Sequence, residues 1–192
     1  MVLSWQDAFE ILSTQSSKQT VNMPLSLYDT SIPVFIRGLT SLSHILTTAE
    51  KHASENSIPE VDIMEARLAP DMLPFQFQIW TICNTAKNSL VRLAGTESIP
   101  TADDQKTFKT MQERIKATID ILQAAGREQF EGAETKEVTM VIAKQERKFT
   151  GLSYLTTFAI PNFYFHVMAA YAILRMKGVP IGKGDYLAGG QS

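Results

Sequence analysis

The chain has a single cysteine, Cys83, in 192 residues. One thiol excludes an internal disulfide framework and is compatible with a reducing compartment. Histidine is nearly as scarce, with His44, His52 and His166 the three. There is no Gly-rich phosphate loop, no His/Cys cluster and no nucleophile elbow, which removes the commonest local signatures of nucleotide, metal and hydrolase chemistry. An excess of charge is missing too. Eighteen basic and twenty acidic residues give a net charge of −2, so no grip on phosphate backbones or anionic lipid is expected. The expectation is no nucleic-acid partner and no membrane. No apolar run reads as long enough to span a bilayer. Residues 159–174 come closest, but Asn162 and His166 interrupt them and Arg175 follows. The N-terminal stretch lacks a basic region and carries Asp7 and Glu10, unlike a signal peptide. A soluble, cytoplasmic protein is the expectation.

What is present is helical periodicity, in a chain long enough for one well-buried core. Residues 1–22 read as an extension with a short amphipathic helix, in which Trp5, Phe9 and Leu12 share a face. Ser31 and Pro33 predict the start of the first long helix. Its stripe is Phe35, Leu39, Leu42, Leu46 and Ala49, with Arg37, Ser41, His44 and Thr48 on the outer side. Ser57-Ile-Pro59-Glu60 has capping-box spacing and predicts a short helix from Pro59 to about Arg67. A second long helix is expected over about 72–94, with Asp71 as N-cap and Gly95 as the terminating residue. It is apolar over a wide arc, one stripe being Phe75, Ile79, Ile82, Ala86, Leu90 and Leu93. A second stripe holds Leu73, Phe77, Trp80 and Val91, with Asn84 beside it.

A third helix is predicted to begin at Thr101-Ala-Asp-Asp104 and to stop at Gly126, with Lys106, Lys109, Arg114 and Lys116 on a solvated face. Alternation at Val138, Met140 and Ile142 favours a strand, with Lys148–Thr150 as a partner and 144–147 as the turn. The fourth helix runs from about Gly151 to Gly178, with Pro180 beyond. These elements describe an all-α, up-down four-helix bundle with a β-hairpin or extended insert between the third and fourth helices. Residues 23–187 form the bundle, and 188–192 are expected to be a flexible tail.

The fourth helix carries the one histidine expected to be buried. On a helical wheel Leu155, Ala159, Asn162, Phe163, Ala169, Ala170 and Ile173 share the side of His166, while Tyr154, Tyr164, Met168 and Tyr171 point elsewhere. Pro161 has no N–H for the carbonyl of Thr157 and predicts a kink. A free carbonyl, the Asn162 amide and the His166 ring would then make a polar spot in an apolar wall, the usual look of a small-molecule pocket. The same pattern also fits a core histidine bonded to a backbone carbonyl or to Asn84.

Five segments carry a family resemblance: Leu25-Ser-Leu-Tyr-Asp29, Ile32-Pro-Val-Phe-Ile-Arg-Gly-Leu39, Ala66-Arg-Leu-Ala-Pro-Asp-Met72, Pro161-Asn-Phe-Tyr-Phe-His166, and Ala170-Tyr-Ala-Ile-Leu-Arg175 followed by Gly178-Val-Pro180. Over about residues 23–187 the chain resembles an uncharacterised domain-of-unknown-function family within the DinB/YfiT-like superfamily of four-helix bundles. That resemblance implies a central cavity and, often, a homodimer. It also implies, for many superfamily members, a divalent metal held by one histidine of the second helix and a His-x-x-x-His pair on the fourth. Some use that metal in transferase, isomerase or hydrolase chemistry. Here Asn162 and His166 stand at the spacing of the pair, the second helix has no histidine, and Asn84 is the residue read in its place. One imidazole and two neutral amides make a poor zinc or nickel site, so neither a metal nor another cofactor is expected.

Three classes of function compete. The first is a small-molecule enzyme without a tightly bound metal, of isomerase, cyclase or transferase type. His166 would be its general acid or base and Asn162 and Asn84 would orient the substrate. Trp80 and Phe163 would wall the pocket, and Arg67 and Tyr28 would contribute at its ends. Glu65, Arg67 and Asp71 could instead form an ion pair closing the bundle. The second class is a non-catalytic small-molecule-binding or assembly protein with a degenerate metal site. The third, implied by the resemblance, is a metal-dependent DinB-like transferase or hydrolase.

Overall fold

The computed structural model describes residues 25–189. The N-terminal extension and the last three residues lie outside the described part, so the amphipathic helix expected around Trp5 does too. Helix α1 spans Leu27–Glu55, α2 Glu60–Met64, α3 Phe75–Ala94 and α4 Phe108–Gln123. A two-stranded sheet follows, β1 Glu137–Ile142 and β2 Gln145–Thr150. Helix α5 runs over Gly151–Met176 and α6 over Lys183–Ala188. The fold is a four-helix bundle of α1, α3, α4 and α5 with a hairpin insert. Both α1 and α3 pack on α4 and on α5, while α4 and α5 stand apart. The connection that carries the hairpin therefore crosses the bundle.

Each terminus has a local cause. Helix α1 begins one turn earlier than Ser31 suggests, because Ser26 and Asp29 form a reciprocal capping box. Pro33 therefore lies inside the helix. Ser57 does not cap α2: it has a positive φ, and Glu60 instead accepts from the Phe108 backbone N–H at the start of α4. Helix α3 starts at Phe75 after Pro74 rather than at an Asp71 cap, and Gly95 ends it in the left-handed conformation (φ 73°). Helix α4 starts later than Thr101, because Thr107 and Thr110 make its capping box. In the hairpin, Ala143 and Lys144 form a two-residue turn with both φ values positive. The strands thus extend further toward the turn than the 144–147 assignment allowed.

The predicted stripes form the core. Phe35, Leu39, Leu42, Leu46 and Ala49 are fully buried, as are Phe75, Ile79, Ile82 and Ala86. The outer side of α1 is not all solvent, however. Helix α6 docks there: Asp185 pairs with His44 at 3.0 Å, Arg37 donates to the Leu187 carbonyl, and Gly189 (φ +59°) lies against Ser41. Residues 181–189 are thus part of the packed body, a contact invisible to the local glycine-rich composition.

Helix α5 is long and apolar enough, by length and composition, to cross a membrane. This corrects the sequence expectation, because residues 151–158 add the length that 159–174 alone lack. Here it packs on α1 and α3. It contains a π-helical turn at Leu155–Ala159, where the Ile160 N–H reaches the Leu155 carbonyl five residues back. The turn sits directly before Pro161, whose missing N–H already interrupts the regular ladder. One extra residue rotates the preceding segment by roughly 100° relative to a straight α-helix. Tyr154, expected to point away, is therefore fully buried.

Phe163 is core rather than pocket wall. Its ring lies 5.0 Å from that of Phe35, and a Cβ at Gly38 would sit 2.4 Å from its Cε1. Glycine at 38 sets how closely α1 and α5 approach. Gly38→Ala adds about 1 kcal/mol of helix propensity but overpacks by about 1–3 kcal/mol. Net destabilisation in urea is expected, with partial rescue by Phe163→Leu. Equal midpoints for wild type and Gly38→Ala would show that the ring moves freely.

Candidate functional site

Helix α3 buries polar side chains on the flank that meets α5. Gln78, Thr85 and Ser89 follow one another at seven and four residues, hence on one face, and all three are buried. Each meets a polar group of α5. Gln78 Oε1 lies 2.7 Å from His166 Nδ1, Asn162 Nδ2 donates to Thr85 Oγ1 at 2.9 Å, and Ser89 Oγ lies 3.0 Å from the Tyr154 hydroxyl. The π turn makes the third contact possible. In a straight helix Tyr154 would stand about 120° around from His166, and with one extra residue about 20°.

Proton counting fixes the donors. The Gln78 amide nitrogen donates to the Leu73 and Pro74 carbonyls, at 2.9 and 3.4 Å. Its oxygen therefore faces His166, and Nδ1 of the imidazole carries the proton. Burial lowers the pKa of His166 from its ordinary value, so the ring is neutral at pH 7. Its Nε2 holds the lone pair and has no protein partner among the described residues. The rings of Phe77 and Phe165 flank the imidazole edge-on, at centroid distances of 6.2 and 5.1 Å, and Phe165 is 60% exposed. Ser89 donates to the Thr85 carbonyl, so the Tyr154 hydroxyl donates to Ser89 and accepts from Arg92 at 3.3 Å.

The other sequence candidates lie elsewhere. Asn84 faces α4, where it donates to Asp103 and accepts from Arg114. It is Gln78 and Thr85 that meet His166 and Asn162, a register no local pattern reveals. Trp80 is half-buried, and its indole N–H is shielded without a partner among the described residues. Arg67 is exposed and donates to the Met72 carbonyl, while Glu65 accepts from Gln76. The expected ion pair of Glu65, Arg67 and Asp71 is not formed. Tyr28 packs edge-on against Phe130, 5.5 Å away. The adjoining Gln129 lines a cleft with Leu90, roughly 18 Å along α3 from Gln78. Tyr28 therefore does not cover the His166 site. Thr157 faces solvent. Sequence reasoning missed Arg114 as well, since its side chain is 3% exposed and bonded to Asp103 at 2.6 Å.

The metal implied by the superfamily resemblance does not fit these residues. The donors in that position are one imidazole, two amides and a hydroxyl. The Gln78 oxygen is engaged with the Nδ1 proton of His166, and the Thr85 hydroxyl with the Asn162 amide nitrogen. Zinc and nickel require three or four nitrogen, sulfur or carboxylate ligands. Among the described residues no cluster of three His, Cys, Asp or Glu is present.

Comparison with known proteins agrees with this architecture. A family model described as a domain of unknown function, DUF1993, matches residues 27–187. The crystal structure of a DinB family member protein from Shewanella denitrificans is 32% identical, with a TM-score of 0.79 over 84% of this chain and 91% of that one. No curated protein matches the chain.

The depressed His166 pKa has a thermodynamic consequence. In the unfolded chain the ring protonates near pH 6.5, and in the folded protein only at lower pH. Between those values the unfolded state binds more protons, so stability falls with falling pH. The stabilisation is complete above pH 6.5 and lost on acidification toward the folded pKa. Urea midpoints at pH 7.5 and 5.5 are expected to differ more for wild type than for His166→Gln. His166 is half-buried rather than buried, and equal differences in the two proteins would contradict a neutral imidazole there.

Proposed function

The chain belongs to the DUF1993 family of DinB-like bundles, and within it we propose a small-molecule enzyme that uses His166 as a general base without a tightly bound metal. One observation carries this reading: the Gln78 contact dictates the tautomer and leaves the Nε2 lone pair free beside the exposed Phe165 ring. A neutral imidazole with its far nitrogen oriented by a second group is the arrangement that general-base chemistry uses. Asn162, one turn away, is the orienting residue. Isomerisation, cyclisation or deprotonation of an incoming nucleophile each need one base of this kind. Ester or amide hydrolysis also needs oxyanion donors, and no pair of free donors adjoins His166 among the described residues. The aromatic flanks suit a flat or unsaturated substrate.

A second reading rests on a different observation. All three polar contacts between α3 and α5 are made within the protein, as a structural lock would be. In that case the domain is a non-catalytic binder or assembly module. The two readings differ in the accessibility of Nε2. Diethyl pyrocarbonate at pH 6 acylates neutral, accessible imidazoles. Peptide mapping is expected to find His166 modified at least as fast as His52 or His44. A His166 that stays unmodified while His52 reacts would overturn the catalytic reading and leave the lock. Any activity found should have its acidic limb below pH 6.5.

A further inference from the structure

Two clefts open side by side between α3 and α4, on the flank of α3 away from α5. The inner one, about 40 Å³, is walled by Cys83, Lys87, Arg114 and Thr118. Since roughly 10–15 Å³ admits one water, it has room for a group of a few heavy atoms. The outer one, about 230 Å³, is lined mainly by Leu90, Ile99, Ile121 and Ala125, with Glu97 exposed at its rim. Lys87 and Ile121 line both. The two spaces adjoin at these side chains, the inner one cationic and the outer one mainly apolar, and are together termed the channel.

The cationic end has more positive charge than its partners neutralise. Arg114 uses four donors on the Ala102 carbonyl, Gln105, Asn84 and Asp103. Its fifth, on Nε, is buried without an acceptor among the described residues. Lys87 is 6% exposed and donates to the Ile99 carbonyl and Thr101 Oγ1, which leaves one of its three N–H bonds over. Asp103, bonded to Arg114, is the single carboxylate paired with either cation among the described residues. Burial, with the Arg114 charge next, lowers the Lys87 pKa. The Cys83 thiol supplies no countercharge, because burial raises its pKa against the pull of Thr118 and Arg114. A buried guanidinium with a spare donor, beside an ammonium with one N–H over, suits one further acceptor, and a charged one most strongly.

We propose that this channel binds a small monocarboxylate with an apolar body. Its carboxylate accepts from Arg114 Nε–H and the spare Lys87 N–H, and its hydrocarbon part lies along Leu90, Ile99 and Ile121. The outer volume falls below the roughly 300 Å³ of ordinary drug-sized pockets, so the ligand is a short or medium acyl chain or a single ring. The segment between α3 and α4, pinned by the same two cations, forms the cover. The site is independent of His166.

The test is an NMR titration of the full chain with sodium octanoate, n-octanol and inorganic phosphate. Octanoate is expected to shift the Lys87, Leu90 and Ile121 resonances and to bind at least tenfold more tightly than either control. Lys87→Met should lose at least tenfold in octanoate affinity, and His166→Gln should lose none. Ala124→Trp, at an exposed position lining the outer cleft, should block octanoate and keep the fold if Lys87→Met does not. Octanol binding as well as octanoate, phosphate binding as well as octanoate, or absence of octanoate binding would each overturn the proposal. So would octanoate affinity unchanged in Ala124→Trp.

Discussion

The constraint on which this bundle depends is the partnering of polar side chains buried on α3. That helix is packed on three sides, and its apolar stripe accounts for one of them. On the other two it buries Gln78, Thr85 and Ser89 toward α5, and Lys87 toward α4. An unpartnered polar group there costs about 1–3 kcal/mol, comparable to a sizeable fraction of a domain's stability. Much of the remaining structure supplies those partners. The π turn of α5 brings Tyr154 into line with Asn162 and His166, and the segment before α4 is drawn over Lys87 and Arg114 by its own carbonyls.

This view recasts the departure from the superfamily's metal chemistry. The resemblance implies three histidines converging from the second and fourth helices. Here one imidazole remains, and amides and hydroxyls meet it. Such groups satisfy one another by hydrogen bonding and need no cation to offset repulsion or unpaired charge. The result is a neutral seam with a single imidazole. The positive charge that lacks a full complement lies on the opposite flank of α3, at Lys87 and Arg114.

The bundle was legible in the sequence because each long helix carries its own period, and Gly95, Gly178 and Pro180 mark where two of them end. The hairpin was legible from alternation alone, although no Asn-Gly pair marks its turn. Several contacts were not. The rotation of Tyr154 depends on a π turn, which breaks the fixed 100° step that any helical wheel assumes. The partners of His166 depend on the register between α3 and α5, so Asn84 was read in the place that Gln78 and Thr85 occupy. Arg114 looked solvated beside Lys109 and Lys116, because its burial comes from a segment folded back over α4. His44 was likewise read as a surface residue, for want of any local sign that Asp185 returns to it. His166 and Asn162 were visible as candidates; the direction in which His166 offers its lone pair was not.

The central claim is that Gln78 holds His166 as a neutral imidazole with the proton on Nδ1. The most direct test is a long-range ¹H–¹⁵N spectrum of the histidine side chains, followed through a pH titration. The account predicts an Nδ1–H tautomer for His166 at pH 7 and a midpoint below 6.5. It also predicts that Gln78→Leu releases the preference for that tautomer. An Nε2–H tautomer in the wild type, or a midpoint above 6.5, would contradict it.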